Sequence, residues 1–288
     1  MEEPPAEFEI DEALVSALLA TQHPDLAGLS LQSVGSGWDN AIFRLGKELS
    51  VRLPRRSLSV PLVLHEQRWL SEIAPRLPLP IPVPIRRGVA GCGFPWPWSI
   101  TPWFPGTTAD AAVLENLETV ARQLGTFVKS LHFPAPPGAP HNPYRGTPLA
   151  VRDGKTRLRI DDLDESWDRG GLLRSWDDAV QTPEWRGPAL WVHGDLHPFN
   201  LVMEGDRLSA VLDFGDVCAG DPATDLAVGW MLFPEPARSE FREAVGVDAD
   251  TWERGRGWAI ALGVAWLGGG ERLTQIGRRA LSSVLEDS

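Results

Sequence analysis

Residues 29–34, 41–45 and 49–53 alternate apolar and polar side chains, the period of two that lays one face of a strand on a core. Gly35, Ser36 and Gly37 separate the first two runs, and Gly46 and Lys47 the second two. The pattern therefore predicts three antiparallel strands meandering through glycine turns. Ahead of them Ile10, Leu14, Ala17 and Leu18 recur at helical spacing over 10–21, with Pro24 just beyond. Residues 61–73 predict a second helix with Leu62, Trp69, Leu70 and Ile73 on one face. Proline alternates with apolar residues across 77–84, which forbids helix, and the run at 94–98 enters a strand ending in residues 99–106.

From 109 to 131 the period changes. Leu114, Leu117, Ala121, Leu124, Val128 and Leu131 predict a long helix buried along one face, closed by His132, to which no chemistry is assigned. Residues 133–148, rich in proline, read as a loop. Leu172, Leu173, Trp176 and Val180 mark another helix, and 237–245, 250–267 and 272–286 three more, with Gly268, Gly269 and Gly270 breaking the last pair. Asp221 and Pro222 read as the cap and first residue of a helix.

One stretch interrupts this helical half. An apolar run at 190–192 leads into a polar loop, a second run follows at 201–203, and Gly205-Asp206 turns the chain into a third at 208–212. Asp195, Asn200 and Asp213 fall at strand ends or in loops, where side chains converge on one cleft. A carboxylate that takes a proton, followed by an amide and a carboxylate that hold Mg²⁺, are the parts protein kinases use, in that order, to move a γ-phosphoryl group. Upstream, Glu66 lies inside the apolar stripe of the second helix, four residues from both Leu62 and Leu70. A carboxylate there needs a cationic partner, and Arg52 on the third strand is the natural one.

His193-Gly194-Asp195 with Asn200 and Asp213-Phe214-Gly215-Asp216 resembles the aminoglycoside phosphotransferase family, small-molecule kinases that share the protein-kinase-like fold. The resemblance runs from about Leu29 to Trp230 and implies a bilobal α+β fold. Residues 1–102 would form an N-terminal antiparallel-sheet lobe that binds nucleotide, and 103–288 a mainly helical lobe that binds the acceptor. It implies Asp195 as the catalytic carboxylate and Asn200 and Asp213 as ligands of Mg²⁺, with ATP or GTP as phosphoryl donor. Gly35, Ser36 and Gly37 would cover the phosphates, since glycine permits close backbone approach. Arg52 and Glu66 would position the α- and β-phosphates, although Arg stands where the family carries Lys, and its planar fork differs in reach. Thr101 and Trp103 fall in the implied hinge, with the Trp103 N–H as donor to the nucleotide ring, since Pro102 has none. Asp225 matches the residue that anchors the catalytic loop, a first-turn helix acid being the competing reading. His193 is expected to hold the loop by hydrogen bonds; Asp216 is near the site without a role.

Composition narrows the partners. Lys and Arg number 27 against 39 Asp and Glu, a formal net charge of −12 in 288 residues, which argues against nucleic acid. Cys92 and Cys218 make neither a disulfide framework nor a metal-ligand spacing. No apolar run is long enough for a bilayer and the acidic start is unlike a signal peptide, so a soluble cytoplasmic protein is expected. The acceptor is expected to be a small-molecule hydroxyl, first an aminoglycoside-type amino sugar. The resembling family also phosphorylates macrolides, choline, homoserine and other small alcohols. The acidic run at 161–168 reads as a solvated face before it reads as an amine-binding surface. A rival reading makes His193, Asp195 and His197 a zinc site of a metal-dependent hydrolase, since alternate residues of an extended segment share a side. A third makes the chain a nucleotide binder without catalysis.

Overall fold

The computed structural model describes residues 4–287. The first amphipathic run becomes helix α1 (Glu12–Gln22), started by Asp11, whose carboxylate accepts the Leu14 N–H at 2.8 Å. Its buried face (Val15, Leu18, Leu19) packs on a five-stranded antiparallel sheet: β1 (Leu31–Ser36), β2 (Asn40–Leu45), β3 (Leu49–Pro54), β4 (Arg86–Gly88) and β5 (Trp98–Pro102), in spatial order β1-β2-β3-β5-β4. The three predicted strands stand at the expected places, and the hairpin register puts Ile42 opposite Arg52. Between β3 and β4 runs α2 (Val60–Ile73).

Helices dominate the rest. A short strand, β6 (Thr107–Thr108), precedes α3 (Leu117–Leu131), α4 (Asp153–Asp161) and α5 (Arg169–Gln181). Strands β7 (Leu190–Val192), β8 (Leu201–Glu204), β9 (Arg207–Val211) and β10 (Cys218–Gly220) follow. They pair as β10-β7 and β6-β8-β9. The chain closes with α6 (Ala223–Leu226), α7 (Val228–Leu232), α8 (Ala237–Val245), α9 (Ala249–Trp266) and α10 (Glu271–Glu286). Among the described residues, no helix is long and apolar enough to cross a membrane.

Two departures from the sequence pattern have local causes. The helix expected over 109–131 begins only at Leu117, because the Asn116 side chain takes the Thr119 N–H at 3.0 Å and caps it there. The residues before it are strapped to the β8–β9 hairpin instead, with the Ala109 N–H on the Leu201 carbonyl and the Glu115 N–H on Asp206. The acidic run at 161–168 is not one continuous face. Asp161 ends α4, Asp164 accepts the Ser166 N–H, and Asp168 caps α5 through the Gly171 N–H at 2.8 Å.

The buried apolar residues form two clusters, one between α1 and the sheet, the other running through the helical half. Helix α2 belongs to the second through Trp69, Leu70 and Ile73, and the Trp69 ring lies 5.2 Å from that of Trp191 on β7. Glu66, on the same helix, is thus carried by an element docked on the larger core. That core is closed tightly where α3 meets α8: a Cβ at Gly125 would fall 2.6 Å from the Ala244 Cβ and 2.8 Å from the Phe241 carbonyl oxygen. Gly125→Ala is expected to destabilise the fold by about 1–3 kcal/mol through overpacking. Scanning calorimetry should show this as a Tm lowered by a few degrees, and an unchanged Tm would mean the two helices separate freely.

Candidate active site

The loop after β7 is shaped by its backbone partners. Asp225, fully buried on α6, accepts the His193 N–H at 2.8 Å and the Gly194 N–H at 2.9 Å, and His132 Nε2 donates to it at 3.1 Å. The anchoring role expected for Asp225 is therefore what its contacts perform. Gly194 has φ +84°, and a Cβ there would lie 2.5 Å from the Asp216 carbonyl oxygen, so only glycine fits. His193 Nε2 donates to the Leu212 carbonyl at 2.8 Å, while Nδ1 accepts the Asp195 N–H at 3.2 Å. Burial pushes the His193 pKa down and keeps the ring neutral, which suits this one-donor, one-acceptor pattern. With both ring nitrogens spent on backbone, His193 cannot ligate a metal. The zinc reading is corrected: among the described residues, no three His, Cys, Asp or Glu side chains are placed to hold one.

The β8–β9 hairpin brings Asn200 and Asp213 together. Leu201 pairs with Val211, and the Leu212 N–H donates to the Asn200 carbonyl at 2.8 Å. The Asn200 amide nitrogen donates to the Asp195 carbonyl at 2.9 Å, which leaves its side-chain oxygen as an unspent acceptor. Asp213, at φ +59°, presents a half-exposed carboxylate, one oxygen of which takes Arg52. An amide oxygen and a carboxylate oxygen from adjoining strands are hard donors, and they fit a magnesium ion.

Arg52 reaches Asp213 from the sheet. Its Nη1 donates to Glu66 Oε1 at 2.9 Å and Oε2 at 3.2 Å, and Nη2 to Asp213 Oδ1 at 3.2 Å. Glu66 Oε1 also accepts the Phe214 N–H at 3.1 Å. Burial works against the charge of Arg52, but Glu66 and Asp213 outweigh it and push its pKa up.

The glycine loop lies at the end of β1, with Gly35 at φ +133° beside a bulge. Arg55 donates to the Gly37 carbonyl at 2.7 Å, and Asp39 accepts from Arg56 at 3.0 Å and from the Ser59 hydroxyl at 2.6 Å. Gly35 and Ser36 are exposed and carry no hydrogen bond to the cleft residues, whereas Asp39 feels them. Its carboxyl pKa is raised by burial and by the charges of Asp213 and Asp195, against the pull of Ser59 and Arg56. At the hinge, Thr101 is buried with its hydroxyl 2.8 Å from that of Ser50. The Trp103 expectation is corrected: its N–H donates to the Glu48 carbonyl at 2.7 Å, continuing the β3–β5 ladder, and is not a free donor to a ring.

Both oxygens of Asp195 are engaged. Oδ2 pairs with His197 Nε2 at 3.1 Å, and Oδ1 takes Arg145 Nη2 at 3.1 Å. Burial raises the carboxyl pKa, but His197 and Arg145 together hold it well below the usual range. Arg145 was not legible in the sequence: it sits in the proline-rich loop, 50 residues from its partner, with no period to mark it. Asn142, in the same loop, donates to Asp216 Oδ1 at 2.6 Å. Burial and the charge of Asp195 push the Asp216 pKa up to about 6, with Arg145 and Asn142 opposing.

The sequence model of the phosphotransferase enzyme family (APH) matches residues 30–258. Among curated proteins no sequence matches the chain. Similar solved structures include a GDP complex of wild-type aminoglycoside 2'-phosphotransferase-IIIa, with TM-score 0.72 and 18% identity, covering 96% of this chain and 99% of that one. Another is an APH(2") enzyme in its GDP and kanamycin complex, with TM-score 0.70 and 21% identity over 95% and 97% of the two chains. A third is the macrolide 2'-phosphotransferase MphH from Brachybacterium faecium as apoenzyme, with TM-score 0.62 and 22% identity over 93% and 97%. At these identities the likeness establishes the fold, two-lobed and kinase-like.

The Asp216 shift has a measurable sign. Its folded-state pKa of about 6 lies above the ordinary value of 3.8, so its contribution to stability is full below pH 4 and lost as pH rises through 6. Asp216→Asn keeps the Asn142 hydrogen bond and removes that loss. The variant is expected to be more stable than wild type at pH 8, by up to about 3 kcal/mol, with the gap closing toward pH 4. Urea denaturation at several pH values reads this directly, and a gap that does not change with pH refutes it.

Proposed function

The chain belongs to the phosphotransferase enzyme family, and from that premise we propose that it moves the γ-phosphoryl group of a nucleoside triphosphate to a hydroxyl group of a small molecule. The observation that carries this reading is the convergence of Asp195, Asn200 and Asp213, fixed by Asp225 and the β8–β9 ladder rather than by loose loops. Asp195 accepts a hydrogen bond from the acceptor hydroxyl and turns its lone pair toward phosphorus, taking the proton as the new bond forms. Asn200 and Asp213 would hold magnesium, which would supply positive charge to the phosphates. Arg52, fixed by Glu66, offers its charge to the phosphates, and Gly35, Ser36 and Gly37 cover them. The nucleotide ring lies along β5 beside Thr101, where the Pro102 carbonyl accepts a hydrogen bond from the ring. We place the boundary between the two lobes at residues 102 and 103; residues 1–3 and 288 lie outside the described residues.

The similar solved structures, one a complex with GDP and kanamycin and another a macrolide 2'-phosphotransferase, support a nucleotide donor and an antibiotic acceptor. An aminoglycoside-type amino sugar stands first among acceptors, and the net charge of −12 favours a cationic molecule over an anionic one. A macrolide or another small alcohol stands second.

Asp195→Asn keeps the size of the side chain and one of its two acceptor oxygens but removes the charge. It is expected to bind ATP or GTP within about threefold of wild type while turnover falls by about 10²–10⁴-fold. The check is magnesium-dependent release of ADP or GDP over a panel of aminoglycosides, macrolides and small amino alcohols, each beside a no-acceptor control. Turnover that survives the substitution unchanged would falsify the assignment.

A further inference from the structure

Arg145 is placed by two backbone anchors. The Gly146 N–H donates to the Thr224 hydroxyl at 2.9 Å, and the Asp221 N–H donates to the Gly146 carbonyl at 2.9 Å. On the other side, the Ala219 N–H holds the Pro140 carbonyl at 2.9 Å, and Asn142 is tied to Asp216. The loop is therefore stitched along β10, and the Arg145 side chain, 16% exposed, crosses to Asp195 from a fixed base.

A guanidinium has five N–H donors, and this one is under-used. Nη2 donates to Asp195 and Nη1 makes a long bond to the Tyr144 carbonyl at 3.3 Å, while Nε is buried with no hydrogen-bond partner among the described residues. Nε has no accessible surface, so what the 16%-exposed side chain can offer a ligand is the second N–H of Nη1 and of Nη2. Arg52, which pairs with Glu66 and Asp213, approaches from the sheet and not from the Asp195 loop. The catalytic loop itself contributes His197 and no lysine.

We infer that Arg145 is a substrate-contacting residue whose unspent Nη N–H groups bind an oxygen of the transferring phosphoryl group. This rests on the phosphotransfer reading of the same cleft. The acceptor oxygen that hydrogen-bonds Asp195 lies on the line of attack at phosphorus, so a guanidinium on the same carboxylate is one side chain's width from the equatorial phosphoryl oxygens. In the step itself the acceptor oxygen bonds to the γ-phosphorus as the bond to the β-bridging oxygen breaks. The bonding pair leaves with the nucleoside diphosphate, and the hydroxyl proton goes to Asp195. Arg145 exchanges no proton, and its charge opposes the negative charge spread over the three equatorial oxygens. By holding Asp195 Oδ1 as well, it keeps the nucleophile and the phosphoryl group in one register.

The test compares two probes on the whole protein by isothermal calorimetry: magnesium-ADP alone, and magnesium-ADP with aluminium fluoride, which mimics the planar phosphoryl group. Arg145→Ala is expected to leave the first affinity within about threefold and to weaken the second by at least about tenfold, the scale of a modest arginine contact to that group. Arg145→Lys, which keeps the charge but not the fork, should recover part of the loss. Equal affinity of wild type and Arg145→Ala for the aluminium fluoride complex overturns the inference and leaves Arg145 as a prop for Asp195. If Arg145→Ala fails to fold, Arg145→Lys and Arg145→Gln decide: Lys above Gln for the fluoride complex supports the contact, and equality refutes it. Wild type that binds neither probe brings down the phosphotransfer reading, and this inference with it.

Discussion

The buried carboxylate of Asp225 is the contact on which the rest of the site depends. It takes hydrogen bonds from two successive backbone N–H groups and one imidazole, which is what a buried charge needs in place of water. Removing it would strand the His193 and Gly194 N–H groups, each at about 1–3 kcal/mol, in a turn that Gly194 already holds at positive φ. The neighbouring residue on α6, Thr224, holds Gly146 and so the Arg145 loop. One short helix thus sets both partners of the Asp195–Arg145 pair. Helix α6 is fixed in turn by α9: Arg254 pairs with Asp221 at 2.8 Å, and a Cβ at Gly255 would come 2.7 Å from the Leu226 Cβ. The chain of causes runs from a core helix to a four-residue helix to two loops.

Arg52 does for the cleft what Asp225 does for the loop. Its fork meets Glu66 with one nitrogen and Asp213 with the other, so a single side chain links the sheet, α2 and the turn after β9. An ammonium in its place would act as one point charge, without two divergent donors in a fixed plane. Because α2 is also packed through Trp69 and Ile73 into the larger core, the ion pair sits on a rigid support. Its desolvation cost is offset by the two-point contact with Glu66 and by the Phe214 N–H on the same carboxylate.

Much of this could be read from the chain. Asn200 and Asp213 were legible because two short apolar runs and a Gly205-Asp206 turn put them at the two ends of one hairpin, and Asp195 because it lies in the polar loop just ahead of it. Arg52 and Glu66 were legible because a carboxylate in an apolar stripe demands a partner. Arg145 was not, since its contact with Asp195 depends on how a proline-rich loop is stitched to β10 by backbone bonds that leave no side-chain pattern. His132 was passed over for a similar reason: nothing near residue 132 shows that α3 ends against Asp225. The start of α3 was misplaced because hydrophobic period continues through Leu114, while a single capping side chain, Asn116, decides where the helix begins. The hinge donor was misassigned because the sequence shows that Trp103 has an N–H but not that Glu48 takes it.

The cleft also sorts its carboxylates by charge, which bears on the role proposed for Asp195. Asp39 and Asp216 are pushed toward their neutral forms by burial and by like charges, whereas Asp195 is held ionised by two directed partners. Neighbouring carboxylates driven apart in this way mark a division of roles. A carboxylate held far below its usual range is a weak proton acceptor toward a free alcohol, so strong basicity is not what the site is built to supply. Phosphoryl transfer through a loose transition state asks little of the base until the bond to the leaving oxygen is nearly gone, and rewards orientation and charge placement instead. In the proposed reaction the partners that make Asp195 a poor base are therefore the ones that aim it, and the guanidinium that lowers its basicity is the one we assign to the charge that develops on the phosphoryl group.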